Sequence, residues 1–178
     1  MALDNALKFA NRCGLNMKIY KYPKTEEGTF VEVDFANECA LDVNSDNTWA
    51  TGGQYASKLI GFPNPYEGTF RMSTQIMTKQ LLALVTGADA TVNTTEYVFK
   101  NDTSADIVYY VIEADTVWKN AEGKTETENI TIHKALPKRA YNVVYNGSGD
   151  PISVDIEFEL LADGAEQKVA TINREPRA

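Results

Sequence analysis

The chain has 178 residues, 43% of them hydrophobic and 24% charged, a size and balance that suit one domain with a real core and exclude wholesale disorder. Its 17 basic residues against 25 acidic ones leave a formal charge of -8, which argues against a protein that grips nucleic acid by neutralising phosphates. The N-terminal MALDNALKFANR lacks a cationic segment followed by an apolar run, and no stretch approaches the roughly 18 apolar residues of a membrane span, so the expectation is a soluble chain made in the cytoplasm.

Residues 1–14 scatter Leu3, Leu7, Phe9 and Ala10 among polar residues and end at Gly14, a pattern open to a short helix or to an arm ordered by a neighbour. Next, Met17 to Tyr22 alternates and stops at Pro23, and Thr29 to Phe35 alternates again after the turn KTEEG, so the two predict a hairpin. In its second strand Thr29, Val31, Val33 and Phe35 share one side, and Phe30, Glu32 and Asp34 share a partly acidic other side. Ala36 to Leu41 reads as an irregular extension of that hairpin through a bulge.

From Asp42 to Pro65 the sequence is punctuated by Asn, Ser, Gly and Pro and predicts a long inter-strand loop. A solvated loop has little reason to carry Trp49, Tyr55, Leu59, Ile60 and Phe62; either it folds back on its own domain or it meets a partner. Residues 66–87 then pass from one periodicity to the other. Phe70, Met72, Thr74 and Ile76 alternate with polar residues as a half-buried strand; Thr78 is placed to cap a helix, Leu81, Leu82 and Val85 fall at helical spacing, and Gly87 supplies a stop. A helix of two to three turns is marginal alone and must dock on a sheet.

Thr95 to Lys100 reads as a short strand, and 106–118 as a central one, apolar on both faces between Ile107 and Ile112. The turn NAEGK joins it to a Thr- and Glu-rich strand over 125–133, and Tyr141 to Tyr145 returns as another. The clearest alternation follows, with Ile152, Val154, Ile156, Phe158 and Leu160 opposite Ser153, Asp155, Glu157 and Glu159, an apolar face backed by an acidic one. Gln167 to Ile172 closes the chain as a strand, with 173–178 as a loose tail. The predicted fold is mainly β with one short α-helix, an antiparallel sandwich or barrel in a single domain spanning 1–178, with flexible arms at 1–14 and 173–178.

Signals for chemistry are few. Cys13 and Cys39, without a secretion signal, read as reduced thiols, and the sequons at Asn93, Asn101, Asn129 and Asn146 as chance. His133 is the single histidine, and no serine or cysteine can be placed beside it. No CxxC or HExxH spacing occurs, and DVNSD at 42–46 lacks the glycine and closing Glu of a calcium loop. Gly147, Ser148 and Gly149 are not followed by the Lys and helix start of a phosphate loop. No metal, cofactor or catalytic residue is expected, and enzyme is the disfavoured class.

The order of elements resembles the major tail tube proteins of tailed bacteriophages and related phage-tail-like particles. The residues that carry the likeness are the Glu67-Gly68-Thr69 element after a long loop, the helix TKQLLALVTG at 78–87, and the closing VDIEFELLADG at 154–164. These motifs are structural, and the likeness spans Met17 to Asn173. It implies a virion tail protein, made in the host cytoplasm, that assembles into six-membered rings stacked as a hollow tube. Its partners would be copies of itself, other tail proteins such as tape measure and terminator proteins, and double-stranded DNA in transit without specific binding; no membrane is implied. The 42–65 loop, with Trp49, Tyr55, Leu59, Ile60 and Phe62, would then contact a neighbouring ring. Asp155, Glu157 and Glu159, and after them Glu32 and Asp34, would face either the lumen, where a negative wall repels passing phosphate, or outside solvent. The alternative is a monomeric β-sandwich that binds carbohydrate or a cell surface, with Trp49 and Trp118 as ligand platforms.

Overall fold

A computed structural model describes residues 9–11, 16–26, 28–33, 36–52, 57–75, 78–86, 106–120, 123, 125–138 and 153–176. The elements in chain order are β1 (Phe9–Asn11), β2 (Asn16–Lys21), β3 (Phe30–Val33), β4 (Ala36–Asn44), β5 (Asn47–Gly52), β6 (Ser57–Pro63), β7 (Glu67–Thr74), α1 (Lys79–Thr86), β8 (Tyr110–Asn120), β9 (Thr125–Pro137), β10 (Val154–Leu160) and β11 (Ala170–Pro176). The described chain is thus mainly antiparallel β with one short helix, the class that the alternating pattern predicts. The strands expected at 95–100 and 141–145 lie outside the described residues.

Among the described residues nine strands form one sheet, in the order β3-β2-β8-β9-β10-β7-β4, with β1 also on β8 and β11 also on β9. Its two end strands, β3 and β4, follow each other in the chain. Val33 and Ala36 are three residues apart and cannot stand more than about 10 Å from each other. Laid flat, the path between those strands would be six spacings of about 4.8 Å, or about 29 Å. Covalent reach therefore forces the sheet to roll, and rolling gives it an inside.

That inside is the core. Met17 and Ile19 of β2, Val33 of β3, Phe70 and Met72 of β7, Ile112 and Ala114 of β8, Ile132 and Ala135 of β9, and the even-numbered residues Val154 to Leu160 of β10 pack into a single buried cluster. The Phe70 and Phe158 rings, paired across β7 and β10, lie 6.4 Å apart at the centroids. The predicted β2–β3 hairpin is present, with Met17 opposite Val33 and Ile19 opposite Val31.

The helix begins where its cap was expected: the Thr78 hydroxyl accepts the Leu81 N–H at 3.2 Å. Leu81, Leu84 and Val85 are its buried residues, and Leu82, read as part of that stripe, is half-buried. The stripe is set by i, i+3, i+4 geometry, which places Leu84 rather than Leu82 over the sheet.

Several expectations change. Ala36–Asn44 does not prolong the first hairpin; it is a separate strand, β4, that pairs with β7 and carries a bulge between Ala36 and Glu38. The 42–65 stretch is not an irregular loop, because Asn47–Gly52 and Ser57–Pro63 pair as a two-stranded hairpin. The terminal arms are also partly strand: Phe9–Asn11 pairs with β8, and β11 continues through Pro176 along β9. Backbone hydrogen bonding to a neighbour orders both, which local composition could not reveal. Of the two-sided run, Val111 and Ile112 are buried while Ile107 is exposed.

Strand β9 explains how one sheet accommodates both β10 and β11. The β8–β9 register slips between Tyr110 and Ile112, which face Ala135 and Ile132, so β9 has an extra residue at His133–Lys134. Burial switches there from even to odd positions, from Ile132 to Ala135 and Pro137. The same point is where β9 changes neighbour, from β11 to β10. The Leu161 N–H donates to the Lys134 carbonyl at 2.9 Å, and the His133 N–H to the Val169 carbonyl at 3.1 Å, tying down the link between β10 and β11.

Candidate functional site: a projecting hairpin and an acidic sheet face

Strands β5 and β6, which follow β4 and precede β7 in the chain, pair as a separate two-stranded ribbon outside the rolled sheet. The join is made by one backbone bond and two side-chain bonds among the residues that gave the sequence its loop character. The Asn64 N–H donates to the Asp46 carbonyl at 2.9 Å, the Ser45 hydroxyl to the Asn64 carbonyl at 2.9 Å, and the Thr48 hydroxyl to Asn64 Oδ1 at 2.9 Å. Ser45 here satisfies a backbone carbonyl across a break between two paired segments, a local role it also plays in turns, while the Asn64 side chain ties down Thr48.

At the base of this arm the Glu67-Gly68-Thr69 element has a steric reason. Gly68 lies between Val43 of β4 and Leu160 of β10, and a methyl group on it would sit 2.3 Å from the Asp42 carbonyl oxygen. Gly61 serves the arm in a related way. It is paired with Trp49, whose ring lies across it, with ring carbons 3.0 to 3.3 Å from where a Cβ would be. The Lys58 ammonium stands 5.2 Å from the centre of that ring.

The ribbon exposes apolar groups on both faces. Trp49 and Gly61 share one face; Phe62, opposite Thr48, and Ile60, opposite Ala50, share the other. Exposure is 42% for Trp49, 59% for Ile60 and 55% for Phe62. Of the other loop candidates, Leu59 lies in β6 and Tyr55 falls outside the described residues. Tyr66, at the foot of β7 and 64% exposed, belongs with this surface and was not singled out by the sequence pattern.

The second candidate surface is the outer side of β10, β7 and β4. Register places Asp155, Ser73 and Glu38 in one row, Glu157, Arg71 and Ala40 in the next, and Glu159, Thr69 and Asp42 in a third. The three predicted carboxylates are thus brought together and joined by Glu38 and Asp42, which only the pairing of β4 with β7 could identify. A shallow depression of about 460 Å³ spans the first two rows, lined by Glu38, Asp155 and Glu157 together with Arg71 and Lys138.

Within this face Glu157 is the neutralised position. It accepts a hydrogen bond from the Lys138 ammonium and lies 3.5 Å from Arg71 Nε. The Lys138 hydrogen bond holds its carboxyl below the ordinary range, partial desolvation opposes this, and the Arg71 and Lys138 charges add to the lowering. Asp155 and Glu159 are exposed. Glu32 is exposed on β3, opposite Lys18 of β2 and in none of these three rows, while Asp34 lies outside the described residues.

The His133 ring nitrogen lies 2.7 Å from the Thr171 hydroxyl, a contact between β9 and β11. Trp118 lies on β8, in register with Asn11 of β1. Among the described residues no group of three or more His, Cys, Asp or Glu side chains is placed to hold a metal ion, and no helix is long and apolar enough to cross a membrane.

No known protein-family profile matches the chain. No curated protein matches it either. Among solved structures it is similar to a chain of the anti-feeding prophage (AFP) baseplate, solved by cryo-EM with 6-fold symmetrisation, at a TM-score of 0.47 and 9% identity, covering 99% of this chain and 98% of that one. It is also similar to a crystal structure of Hcp protein, at a TM-score of 0.39 and 12% identity, covering 93% of this chain and 100% of the other.

Proposed function

We propose that this chain is a structural component of a phage tail or phage-tail-like particle, and specifically the subunit of its tube. Copies join into rings, six to a ring as the sequence resemblance implies, and the rings stack into a hollow conduit for DNA. The role is mechanical, with no chemical change to a substrate. The observation that carries the reading is the β5–β6 ribbon, which leaves the rolled sheet with Trp49, Ile60 and Phe62 exposed on its two faces. A two-stranded ribbon is marginal by itself in water, and one with apolar groups on both sides is stabilised by a partner that covers them. In this reading the partner is a copy in the adjoining ring. The acidic rows on β10, β7 and β4 suit a wall along which DNA slides without sticking.

Removal of the ribbon tests the reading. Asp46 and Asn64 are already hydrogen-bonded, so residues 47–63 can be replaced by a short glycine-containing turn without parting β4 from β7. The parent protein is expected to form stacked rings or tubes by electron microscopy and sedimentation, and the shortened one to stay folded without stacking into tubes. A parent that remains monomeric at high concentration, or a shortened protein that assembles as well as the parent, overturns the proposal; the first result points to the binding-module alternative.

A further inference from the structure

A tube cannot be built from one self-complementary patch, because such a patch closes a dimer; rings that stack need two unlike surfaces that fit each other. The ribbon supplies one. We propose that its counterpart on the next copy is the outer face of the β2–β3 hairpin, centred on Tyr20 and Phe30. This inference rests on the assembly reading above and adds to it the receiving site.

On that face Tyr20 and Phe30 are cross-strand partners with ring centroids 5.5 Å apart, and Phe30 is 43% exposed. Each ring carries a cation: Lys18 Nζ lies 5.1 Å from the Phe30 centroid, and Lys24 Nζ 4.5 Å from that of Tyr20. Lys24 also reaches Glu113, and Lys18 stands in register between Glu32 of β3 and Glu113 of β8. The outer face beyond, on β9 and β11, is polar, with Asn129 and Thr131 opposite Asn173 and Thr171. The aromatic pair topped by lysines is therefore a distinct patch on an acidic protein.

The ribbon matches it in shape and charge. Its six-residue strand β5 extends about 20 Å. One of its faces presents Ile60 and Phe62, and its base carries the exposed carboxylates Asp42, Asp46 and Glu67. Ile60 and Phe62 laid on Tyr20 and Phe30 would bring that acidic base to Lys18 and Lys24, pairing apolar with aromatic and carboxylate with ammonium.

Charge reversal in full-length protein tests the match. Lys18→Glu with Lys24→Glu, and separately Asp46→Lys with Glu67→Lys, should each raise the concentration needed for assembly by about tenfold or more, as loss of a desolvated charge contact does. The four substitutions together should restore it, with circular dichroism confirming that every variant is folded. Assembly unchanged by the lysine reversals, or lost in the pairs and not recovered in the combination, overturns this receiving site. If ribbon removal still abolishes assembly in that case, the tube reading stands and only the docking partner is wrong.

Discussion

Gly68 offers the sharpest test of how the arm is held to the body. No positive φ is required there, so the backbone admits alanine, and the obstacle is steric: the new methyl carbon would lie 2.3 Å from the Asp42 carbonyl oxygen, 3.2 Å from Leu160 Cδ1 and 3.2 Å from Val43 Cα. Carbon–oxygen contacts between strands settle near 3.3 Å, so β4 must retreat by about 1 Å or β7 must buckle. Two of the three obstacles are backbone atoms held in the β4–β7 ladder, which places the cost at the upper end of the roughly 1–3 kcal/mol for overpacking. Restricting the unfolded chain returns about 0.4–1 kcal/mol, leaving a net loss of about 2 kcal/mol. For a domain of this size that lowers Tm by about 4–8 °C.

The assay is thermal and urea unfolding of the parent, of Gly68→Ala and of a control, Gly164→Ala, where no atom lies within 4 Å of the added carbon. The control should be neutral or gain up to about 1 kcal/mol. A Gly68→Ala protein as stable as the parent, or more stable, would refute the crowding argument and with it the explanation of why glycine occupies the Glu67-Gly68-Thr69 element.

Two further outcomes concern the acidic face. Replacing Lys138 by Met removes the principal cause of the lowered Glu157 carboxyl, so its titration, followed by carboxyl NMR, should move up toward the ordinary glutamate range. Because the folded-state pKa is depressed, whatever stability Glu157 adds is present above its unfolded value and is lost as pH falls through the folded one; the Lys138→Met protein should lack that acid-side loss. An unmoved Glu157 titration would mean that Arg71, not Lys138, sets its charge. Reversing Asp155 and Glu159 to Lys, while leaving the paired Glu157 intact, should preserve tube length but slow DNA passage in a particle ejection assay. Normal ejection would remove this face from the lumen.

Much of the fold is legible in period-two alternation. Phe70, Met72 and Thr74, and likewise Val154, Ile156 and Phe158, point inward as the pattern requires, since burial of one sheet face imposes that pattern on any strand. Thr78 marks the helix start because its hydroxyl satisfies an N–H that the helix leaves open. These are local constraints, and each is solved within a few residues.

Pairing is not local. Nothing within Ala36–Asn44 says that it will leave the first hairpin for β7, and nothing within β10 says that Asp155, Glu157 and Glu159 will be joined by Glu38 and Asp42. The bulge at His133–Lys134 reverses the inward side of β9 partway along, so a single alternation could not assign that strand. The ribbon's Asn, Ser and Gly residues have two uses, to make turns or to bridge paired strands, and only the neighbouring strand decides between them. The sequence by itself determined the alternating faces, the helix cap and the apolar content of the arm. The tertiary structure decided which faces meet, because register and sheet order depend on contacts between residues far apart in the chain.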